Sequence, residues 1–311
     1  MTAPLSIIVP TRGGAARLPR LFASLARQTD QRFDVVVVVD GDIDDTEAYL
    51  AGDHPFAVTA VVFEANQGRS SALNAGFAAA TGSILARCDD DLELPETYVA
   101  DQIAWHTANR GGLIGLCRNV YPPSPYARVY GTAMDLQGRA AAYAAPAEET
   151  WRHWGANVSV PREVYAEIGP YDTDYRGYGW EDVDWGWRLH QAGYRIEIRP
   201  EIEAKHHVAA TTTVIRAKRA MYSGAARTRF IAKHGDAMIP PLAEHPHGAW
   251  NRLVAATAQR LSEPRVETWG AWIDRSLPVL PTPVGRKAVA LLVEAAHRCG
   301  YRRPQSVGRA I

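Results

Sequence analysis

The first 120 residues alternate between short apolar runs and longer amphipathic stretches. Residues 6–10 and 35–39 are almost wholly apolar, and each run ends at polar or glycine residues. A continuous apolar run of this length is typical of a parallel strand that is covered on both faces. Between the two runs, apolar residues recur at helical spacing, at Leu18, Leu21, Phe22 and Leu25. The pattern predicts strand–helix–strand units with right-handed crossovers.

Three further apolar runs continue this alternation, at residues 58–63, 83–87 and 113–116. A helix-like segment, residues 69–80, separates the first two of these runs. Strands and helices that alternate along a chain form a mostly parallel sheet with helices on both faces. The predicted fold class is therefore α/β, with a doubly wound, mostly parallel sheet of the Rossmann type.

The regular pattern changes further along the chain. Residues 121–150 are rich in proline and alanine and predict a loop long enough to cover a site. Residues 195–207 return to a strand-like pattern. Beyond Pro240 and Pro241 only separated helical segments follow, so we predict a helical C-terminal extension over residues 237–311.

The composition is that of an ordinary globular protein, with 47% hydrophobic residues, 22% charged residues and zero formal net charge. This balance gives no sign of a nucleic-acid partner. The three cysteines form no CxxC pair, which favours a reduced, cytoplasmic compartment without disulfides. The N-terminal residues lack the basic start and apolar stretch of a signal peptide, and no apolar run is long enough for a membrane span.

Polar side chains follow the first two predicted strands, Thr11 and Arg12 after one and Asp40 after the other. In doubly wound sheets, ligands bind outside the carboxyl ends of the strands. The first strand is not followed by GxGxxG, which weakens a dinucleotide site, or by GxxxxGK[ST], which excludes a P-loop. We expect a different ligand in a crevice at this edge of the sheet.

Three adjacent carboxylates, Asp89, Asp90 and Asp91, follow the strand predicted over residues 83–87. They repel one another unless a cation compensates their charge, and their oxygens suit Mg²⁺ or Mn²⁺ bridging to a diphosphate. His206 and His207 at the end of the strand-like segment are further candidate ligands, although a single histidine is more often structural. By itself, a solvated acidic turn or a helix cap explains the aspartates equally well.

Two other segments carry candidate chemistry. Arg69, after Gly68, offers a planar fork for phosphate or a base edge, although helix–sheet packing with Asn66 as a cap explains that segment better by itself. Residues 177–184 place aromatic rings before Glu181-Asp182 at a predicted helix N-terminus, where the dipole keeps a carboxylate ionised as a base requires. Capping carboxylates beside packed aromatic residues are the structural alternative.

Together these motifs resemble the family-2 glycosyltransferases of the GT-A fold, over about residues 4–235. Residues 6–12 match the family's first strand, and residues 38–46 stand where the family has VDDGSxDxT, with Gly-Asp-Ile in place of Asp-Gly-Ser. Residues 66–82 match NxGxxxAxNxGxxxAxG almost position for position. Residues 179–184 are also similar to the GWGGEDDD motif of galactosyltransferases.

The resemblance implies a GT-A domain over residues 1–236, with a nucleotide-sugar half over about 1–120 and an acceptor half over about 121–236. It implies that Asp182, beside Glu181, deprotonates the acceptor hydroxyl. The residues that it assigns to the nucleotide sugar are Pro10, Thr11, Arg12, Asp40, Asn66, Gly68, Arg69, Asn74, Asp89 and Asp90. Those that it assigns to the acceptor are Trp154, Gly155, Asn157, Tyr178 and Trp180. The implied ligands of Mn²⁺ or Mg²⁺ are Asp91 and His206, with Asp90 and His207 as alternatives.

The implied activity is metal-dependent, inverting transfer of a sugar from a nucleoside-diphosphate donor, with UDP the commonest base. The acceptor would be a hydroxyl of a glycan, a lipid-linked compound or a small molecule. Two alternatives have other sequence requirements. A sugar-1-phosphate nucleotidyltransferase needs a longer basic, glycine-rich loop than residues 11–14 provide. A non-catalytic sugar-nucleotide-binding protein would be expected to lose the aspartates or the Glu181-Asp182 pair.

The C-terminal extension has its own pattern. Residues 284–298 place apolar side chains at helical spacing, beside Arg286, Lys287 and Arg298. Such a helix suits either an anionic membrane surface, near a lipid-linked acceptor, or packing on the catalytic domain or on a second subunit in a homodimer. Packing is favoured because the stripe is rich in alanine and contains no Trp or Phe; Trp269 and Trp272 upstream suit either role.

Overall fold

The computed structural model describes residues 3–175, 178–244 and 247–307, so Gly177 of the aromatic segment lies outside the described residues. Contacts group the chain into two compact units that do not follow chain order. The first unit takes the chain up to Val120, then Arg139–Asp174 and Glu181–His207. The second takes Tyr121–Gly138, Tyr175–Trp180 and the chain from Val208 onwards.

The strands all belong to the first unit. They are β1 (Leu5–Thr11), β2 (Phe33–Val39), β3 (Val58–Val62), β4 (Ile84–Cys88), β5 (Leu92–Glu93), β6 (Gly112–Ile114), β7 (Cys117–Asn119), β8 (Asn157–Pro161), β9 (Ile196–Ile198) and β10 (Ala204–His206).

The helices divide between the units. The first five are α1 (Leu18–Ala26), α2 (Thr46–Leu50), α3 (Arg69–Ala79), α4 (Tyr98–Ala108) and α5 (Thr132–Tyr143). They are followed by α6 (Arg162–Ile168), α7 (Glu181–Gln191), α8 (Thr213–His234), α9 (Ala249–Arg260), α10 (Glu263–Ser276) and α11 (Thr282–Arg302). The last four form most of the second unit.

The central sheet, within the described ranges, has seven strands in the order β3-β2-β1-β4-β8-β6-β9. Strand β8 runs antiparallel to β4 and β6, whereas the other neighbouring pairs are parallel. A smaller sheet has the order β5-β10-β7. These sheets confirm the predicted α/β class with a mostly parallel sheet.

The valine run of β2 is fully buried on both faces, as its composition predicts. Helix α3 covers one face at close range, because a Cβ on Gly76 would overlap the side chain of Ile8. Gly76 therefore has a packing role, which does not depend on ligand binding.

Two local predictions are wrong. Residues 121–150 are not one long loop, because they contain a π-helical turn, Ala127–Gly131, and helix α5. Alanine is the best helix former, so an alanine-rich segment favours a helix over a loop. The helix cap given as an alternative role for the aspartates is also wrong, since Leu92–Glu93 pairs with β10 and the next helix begins at Tyr98.

The core of the second unit joins α8 to α11. The apolar stripe predicted at residues 284–298 is largely used within this core, where Val289, Leu292 and Ala295 are buried. The two helices approach so closely at Gly224 that a Cβ there would overlap the carbonyl oxygen of His297. Within the described ranges, no helix combines the length and the apolar character that a membrane span requires.

We predict opposite effects of alanine at two helical glycines of this unit. Gly224→Ala should lower the free energy of unfolding by about 1–3 kcal/mol, because the new methyl group meets backbone rather than a movable side chain. Gly138→Ala, on an exposed face of α5 with open space around the Cβ position, should raise it by up to about 1 kcal/mol. Urea unfolding of both variants measures the difference, and equal stabilities would contradict the close approach of α8 and α11.

Candidate active site

The end of β1 is fastened to the aspartate triplet through Asp90. One oxygen of Asp90 accepts a hydrogen bond from Thr11 Oγ1. The guanidinium of Arg17 donates to both carboxylate oxygens, over 2.9 Å from Nε and 2.7 Å from Nη2, and also to the carbonyl of Arg12 over 2.9 Å. Both oxygens of Asp90 are therefore engaged in joining two strand ends.

Asp40, at the end of β2, organises the loop that leads into α3. Its carboxylate accepts hydrogen bonds from the backbone amides of Gln67 and Gly68, over 2.6 and 2.9 Å. The side chain of Asn66 accepts from the same Gly68 amide. Gly68 has φ +91°, a conformation that glycine adopts without strain, and places Arg69 at the start of α3.

Arg69 brings the start of α3 near the start of α7. Its Nη1 lies 3.6 Å from Oε1 of Glu181, whose side chain is buried. Burial opposes the charge of the guanidinium, but the carboxylates of Asp89 and Glu181 raise the pKa of Arg69 above its ordinary value. The other oxygen of Glu181 is buried and has no hydrogen-bond partner among the described residues.

Arg87 links the end of β4 to the first turn of α7. The side chain is fully buried, donates to Oδ1 of Asp89 over 3.1 and 3.2 Å, and contacts Oδ1 of Asp182. The prediction that Glu181 and Asp182 enter a helix N-terminus is confirmed, because α7 begins at Glu181. The buried guanidinium of Arg87 thus holds the carboxylate of Asp89, after β4, next to the carboxylate of Asp182, in the first turn of α7.

Burial also changes the basicity of Asp182. It raises the pKa of Asp182 to about 7, with Glu181 acting in the same direction and Arg87 opposing the shift. A carboxylate with a pKa near neutrality is well matched to accept a proton at physiological pH.

Asp91 lies beside His206. Its Oδ2 is 3.1 Å from Nε2 of His206, while its Oδ1 is buried and has no partner within the described part of the chain. The other ring nitrogen of His206 lies 2.6 Å from the side-chain oxygen of Asn119. The His206 ring thus lies between the Asn119 side chain and the Asp91 carboxylate, with Nε2 facing Asp91.

This pair meets the requirements of a divalent cation in part. Two ligands at about 2.1 Å and at right angles lie about 3 Å apart, close to the separation of Asp91 Oδ2 and His206 Nε2. The described residues contain no group of three His, Cys, Asp or Glu side chains arranged to hold a metal. A cation here would therefore need further oxygens from its substrate.

His207 has a different environment from His206. Its Nε2 lies 2.8 Å from Glu93, which also binds Lys205 over 2.7 Å. These contacts engage the side chain of His207 with Glu93, while its backbone amide donates to the carbonyl of Asp91 over 3.0 Å.

Three predicted contact residues are hydrogen-bonded inside the fold. The amide of Asn74 is bonded to both the N–H and the carbonyl of Tyr171, over 2.8 and 2.9 Å. The buried amide of Asn157 is bonded to Tyr98 and to the carbonyl of Ile202. Trp154 is buried, and its indole donates to the Tyr171 hydroxyl. Direct contact with a donor or acceptor would require these hydrogen bonds to break.

The other predicted acceptor residues lie in different surroundings. Gly155 is half-buried in the segment before β8, and Pro10 is half-buried near the end of β1. Tyr178 and Trp180 belong to the second unit, where Arg219 lies over the Tyr178 ring and Ser223 accepts from the Trp180 indole over 3.1 Å. Trp180 has φ +75°, which is uncommon for a residue other than glycine.

Arg17 and Arg87 were not among the residues predicted for the site. For Arg87 the sequence does carry a signal, because an arginine inside the buried run of β4 needs a carboxylate partner. For Arg17 the sequence carries no such signal, since a basic residue before an amphipathic helix is common.

Comparisons with known proteins identify the family of the chain. Residues 6–169, more than half of the chain, match the profile of glycosyl transferase family 2. Residues 138–211 match a profile described as the N-terminal domain of galactosyltransferase, and this range includes residues 179–184.

Curated relatives cover part of the chain. The validoxylamine A glucosyltransferase of Streptomyces hygroscopicus subsp. jinggangensis is 29% identical over 234 residues, which are 65% of this chain and 56% of the relative. The undecaprenyl-phosphate 4-deoxy-4-formamido-L-arabinose transferase of Pseudomonas syringae pv. syringae is 33% identical over 191 residues, 58% of this chain and 48% of the relative. The chain spans about half the length of these relatives.

Solved structures share the fold. The mannosyltransferase PcManGT of Pyrobaculum calidifontis, in complex with GDP-Man and Mn²⁺, aligns with a TM-score of 0.59 at 20% identity, over 96% of this chain and 88% of that one. Residues 1–349 of TarS from S. aureus align with a TM-score of 0.50 at 16% identity, over 97% and 92% of the two chains.

We predict that Arg87→Met lowers the free energy of unfolding by about 3–5 kcal/mol at neutral pH, because it removes the buried cation that contacts the half-buried carboxylates of Asp89 and Asp182. Chemical unfolding measures the loss. Adding Asp182→Asn should recover part of it by removing one uncompensated charge. Lys218→Met, which breaks an ion pair with the exposed Glu267, is the control and should cost about 1 kcal/mol or less. A loss at Arg87 as small as at Lys218 would contradict the buried link.

Proposed function

This chain belongs to glycosyl transferase family 2, and from that membership and its strand-end geometry we propose that it is a metal-dependent, inverting glycosyltransferase. The proposed donor is a nucleoside-diphosphate sugar, with a UDP-sugar as the first candidate. The proposed acceptor is a hydroxyl group of a glycan, a lipid-linked compound or a small molecule.

The observation that carries the proposal is the link that Arg87 makes between Asp89 and Asp182. It holds a strand-end aspartate, where a doubly wound sheet binds its ligand, next to a carboxylate suited to accept a proton. In a transfer reaction the sugar donor and the general base have to lie close together. The Asp89–Arg87–Asp182 contact supports such an arrangement.

We infer that Asp91 and His206 would hold the cation. The Oδ1 of Asp91, which has no hydrogen-bond partner among the described residues, and the Nε2 of His206 support this choice. Both oxygens of Asp90 are bonded to Thr11 and Arg17, which argues against Asp90 as a ligand. Mn²⁺ or Mg²⁺ bound there would neutralise the diphosphate of the donor and help it to leave.

The remaining donor contacts come from the β1 end and from the start of α3. Arg12 has a buried Nε without a hydrogen-bond partner among the residues described, and Arg69 is partly exposed beside Glu181. Guanidinium groups bind phosphate oxygens in a planar fork. We propose that these two arginines, on the loop geometry set by Asp40, contact the nucleotide.

Asp182 is the proposed general base. It takes the proton of the acceptor hydroxyl as that oxygen attacks the anomeric carbon on the face opposite the diphosphate. One carbon–oxygen bond forms, the bond to the diphosphate breaks, and the configuration at the anomeric carbon inverts. Arg87 positions the carboxylate, and Glu181 and burial keep its pKa high enough to accept the proton.

The relatives support this class of reaction without fixing the substrates. Two are named for validoxylamine A and for undecaprenyl phosphate, and the mannosyltransferase neighbour was solved with GDP-Man and Mn²⁺. We propose a cytoplasmic site of action, with which the free thiols of Cys88, Cys117 and Cys299 are consistent.

The nucleotide and the cation should bind together. UDP or GDP with Mn²⁺ should raise the Tm clearly, and either nucleotide in EDTA should raise it much less, because only bound ligand stabilises the folded state. His206→Ala should remove the Mn²⁺-dependent part of the shift, whereas His207→Ala should keep it. Equal shifts in EDTA and Mn²⁺, or a loss only in His207→Ala, would contradict the proposed cation site.

Asp182→Asn keeps the size of the side chain and removes its ability to accept a proton, so kcat should fall by about 10²–10⁴ while nucleotide binding survives. Because the base must be deprotonated, kcat/KM of the unaltered enzyme should fall as the pH drops below about 7. Asp184→Asn is the comparison, since Asp184 is fully buried and binds Arg188 over 3.1 Å. Asp184→Asn should lower the Tm but reduce kcat much less than Asp182→Asn does. A larger loss of kcat in Asp184→Asn than in Asp182→Asn would exclude Asp182 as the base.

A further inference from the structure

The connection between α10 and α11 exposes apolar side chains that the core of the second unit does not use. We call residues 272–287 the helical corner. Trp272 is 69% exposed, Val279 83% and Val284 52%, whereas Leu277 between them is fully buried. Exposed large apolar residues that cluster in this way mark an interaction surface.

The corner is also positively charged. Arg275, Arg286 and Lys287 are exposed, and no Asp or Glu occurs from Arg275 to Val293. The two nearest acids of α10 are engaged elsewhere in the unit. Asp274 accepts hydrogen bonds from the amide of Thr213 over 2.9 and 3.1 Å, and Glu267 binds Lys218 over 2.7 Å. The chain as a whole has zero net charge, so this excess is local.

The backbone of the corner suits an apolar environment. Pro278, Pro281 and Pro283 have no N–H group. The amides of Val279 and Leu280 donate to the carbonyl of Ser276 over 3.1 Å, and those of Val284 and Gly285 donate to the carbonyl of Pro281 over 2.9 and 3.0 Å. A buried N–H without an acceptor is costly in hydrocarbon, and most donors of this turn already have acceptors inside the chain.

We propose that the helical corner docks on an anionic lipid membrane. Val279 and Val284 enter the boundary between headgroups and acyl chains, Trp272 lies at the headgroup level, and the basic side chains contact lipid phosphates. This assignment differs from the one considered from the sequence, because Leu292 and Ala295 of the α11 stripe are buried, whereas Val284 at its start is exposed. The proposal does not rest on the transfer reaction.

A lipid surface fits the corner better than a second copy of the chain. Basic side chains at the rim of an apolar contact are attracted by anionic headgroups. Two copies that met through this corner would instead bring Arg275, Arg286 and Lys287 close to their own duplicates, and like charges oppose such a contact.

The test uses the full chain and vesicles of phosphatidylcholine with and without phosphatidylglycerol. We expect co-sedimentation and a blue shift of tryptophan emission only with phosphatidylglycerol, both weaker at physiological than at low salt. Val279→Asp/Val284→Asp and Arg286→Glu/Lys287→Glu should each lower the apparent affinity by about tenfold or more. The Tm of the valine variant should stay close to that of the unaltered chain, because both side chains are exposed. The charge variant also loses the hydrogen bond from Arg286 Nε to the carbonyl of Val129 over 3.2 Å, so its binding is compared at a temperature well below its own Tm.

Matched controls change the same chemistry elsewhere. Ile43→Asp/Leu136→Asp alters two exposed apolar residues outside the corner, and Arg20→Glu/Arg27→Glu reverses two exposed charges, one in α1 and one directly after it. Both should bind within about twofold of the unaltered chain. Absence of binding to phosphatidylglycerol vesicles, or equal losses in the controls, would overturn the proposal. So would a dimer in sedimentation that Val279→Asp/Val284→Asp dissociates without any vesicle binding.

Discussion

A guanidinium buried inside a sheet has to be neutralised, and this requirement at Arg87 determines much of the candidate site. Leaving it unpaired would cost several kcal/mol, so the fold has to bring carboxylates to it. Asp89 follows on the same strand, but Asp182 is ninety-five residues away and reaches Arg87 because α7 begins beside the end of β4. The same contact that stabilises the buried charge therefore also fixes where a proton acceptor stands.

The sheet could be predicted from the sequence because its signals are local. The five valines of β2 are buried on both faces, and a run of this kind has few other uses in a soluble fold. The strand ends were predictable for the same reason, since Thr11, Asp40 and Asp89 each follow an apolar run. Helix α5 does not follow from the mixed composition of residues 121–150, because the prolines break helices whereas the alanines after them favour one.

The individual roles of the site residues could not be predicted, because they depend on contacts with distant parts of the chain. Asn74 and Asn157 stand in suitable motifs, but their amides are bonded to Tyr171, Tyr98 and Ile202. The residues that neighbour these asparagines in the sequence do not indicate that Tyr171, Tyr98 and Ile202 are their partners. A motif therefore indicates that a position matters, whereas the three-dimensional contacts decide whether it faces a ligand or supports the residues that do.

The aspartate triplet shows this division most clearly. Three adjacent carboxylates would repel one another if they shared one environment. Instead Asp89 is paired with Arg87, Asp90 with Arg17, and Asp91 faces His206. Two of the charges are thereby neutralised by arginines, and the third keeps a buried oxygen without a partner in the described residues. An unpaired buried oxygen costs about 1–3 kcal/mol, and a fold that retains such a cost at the end of a central strand points to a ligand rather than to stability as its reason.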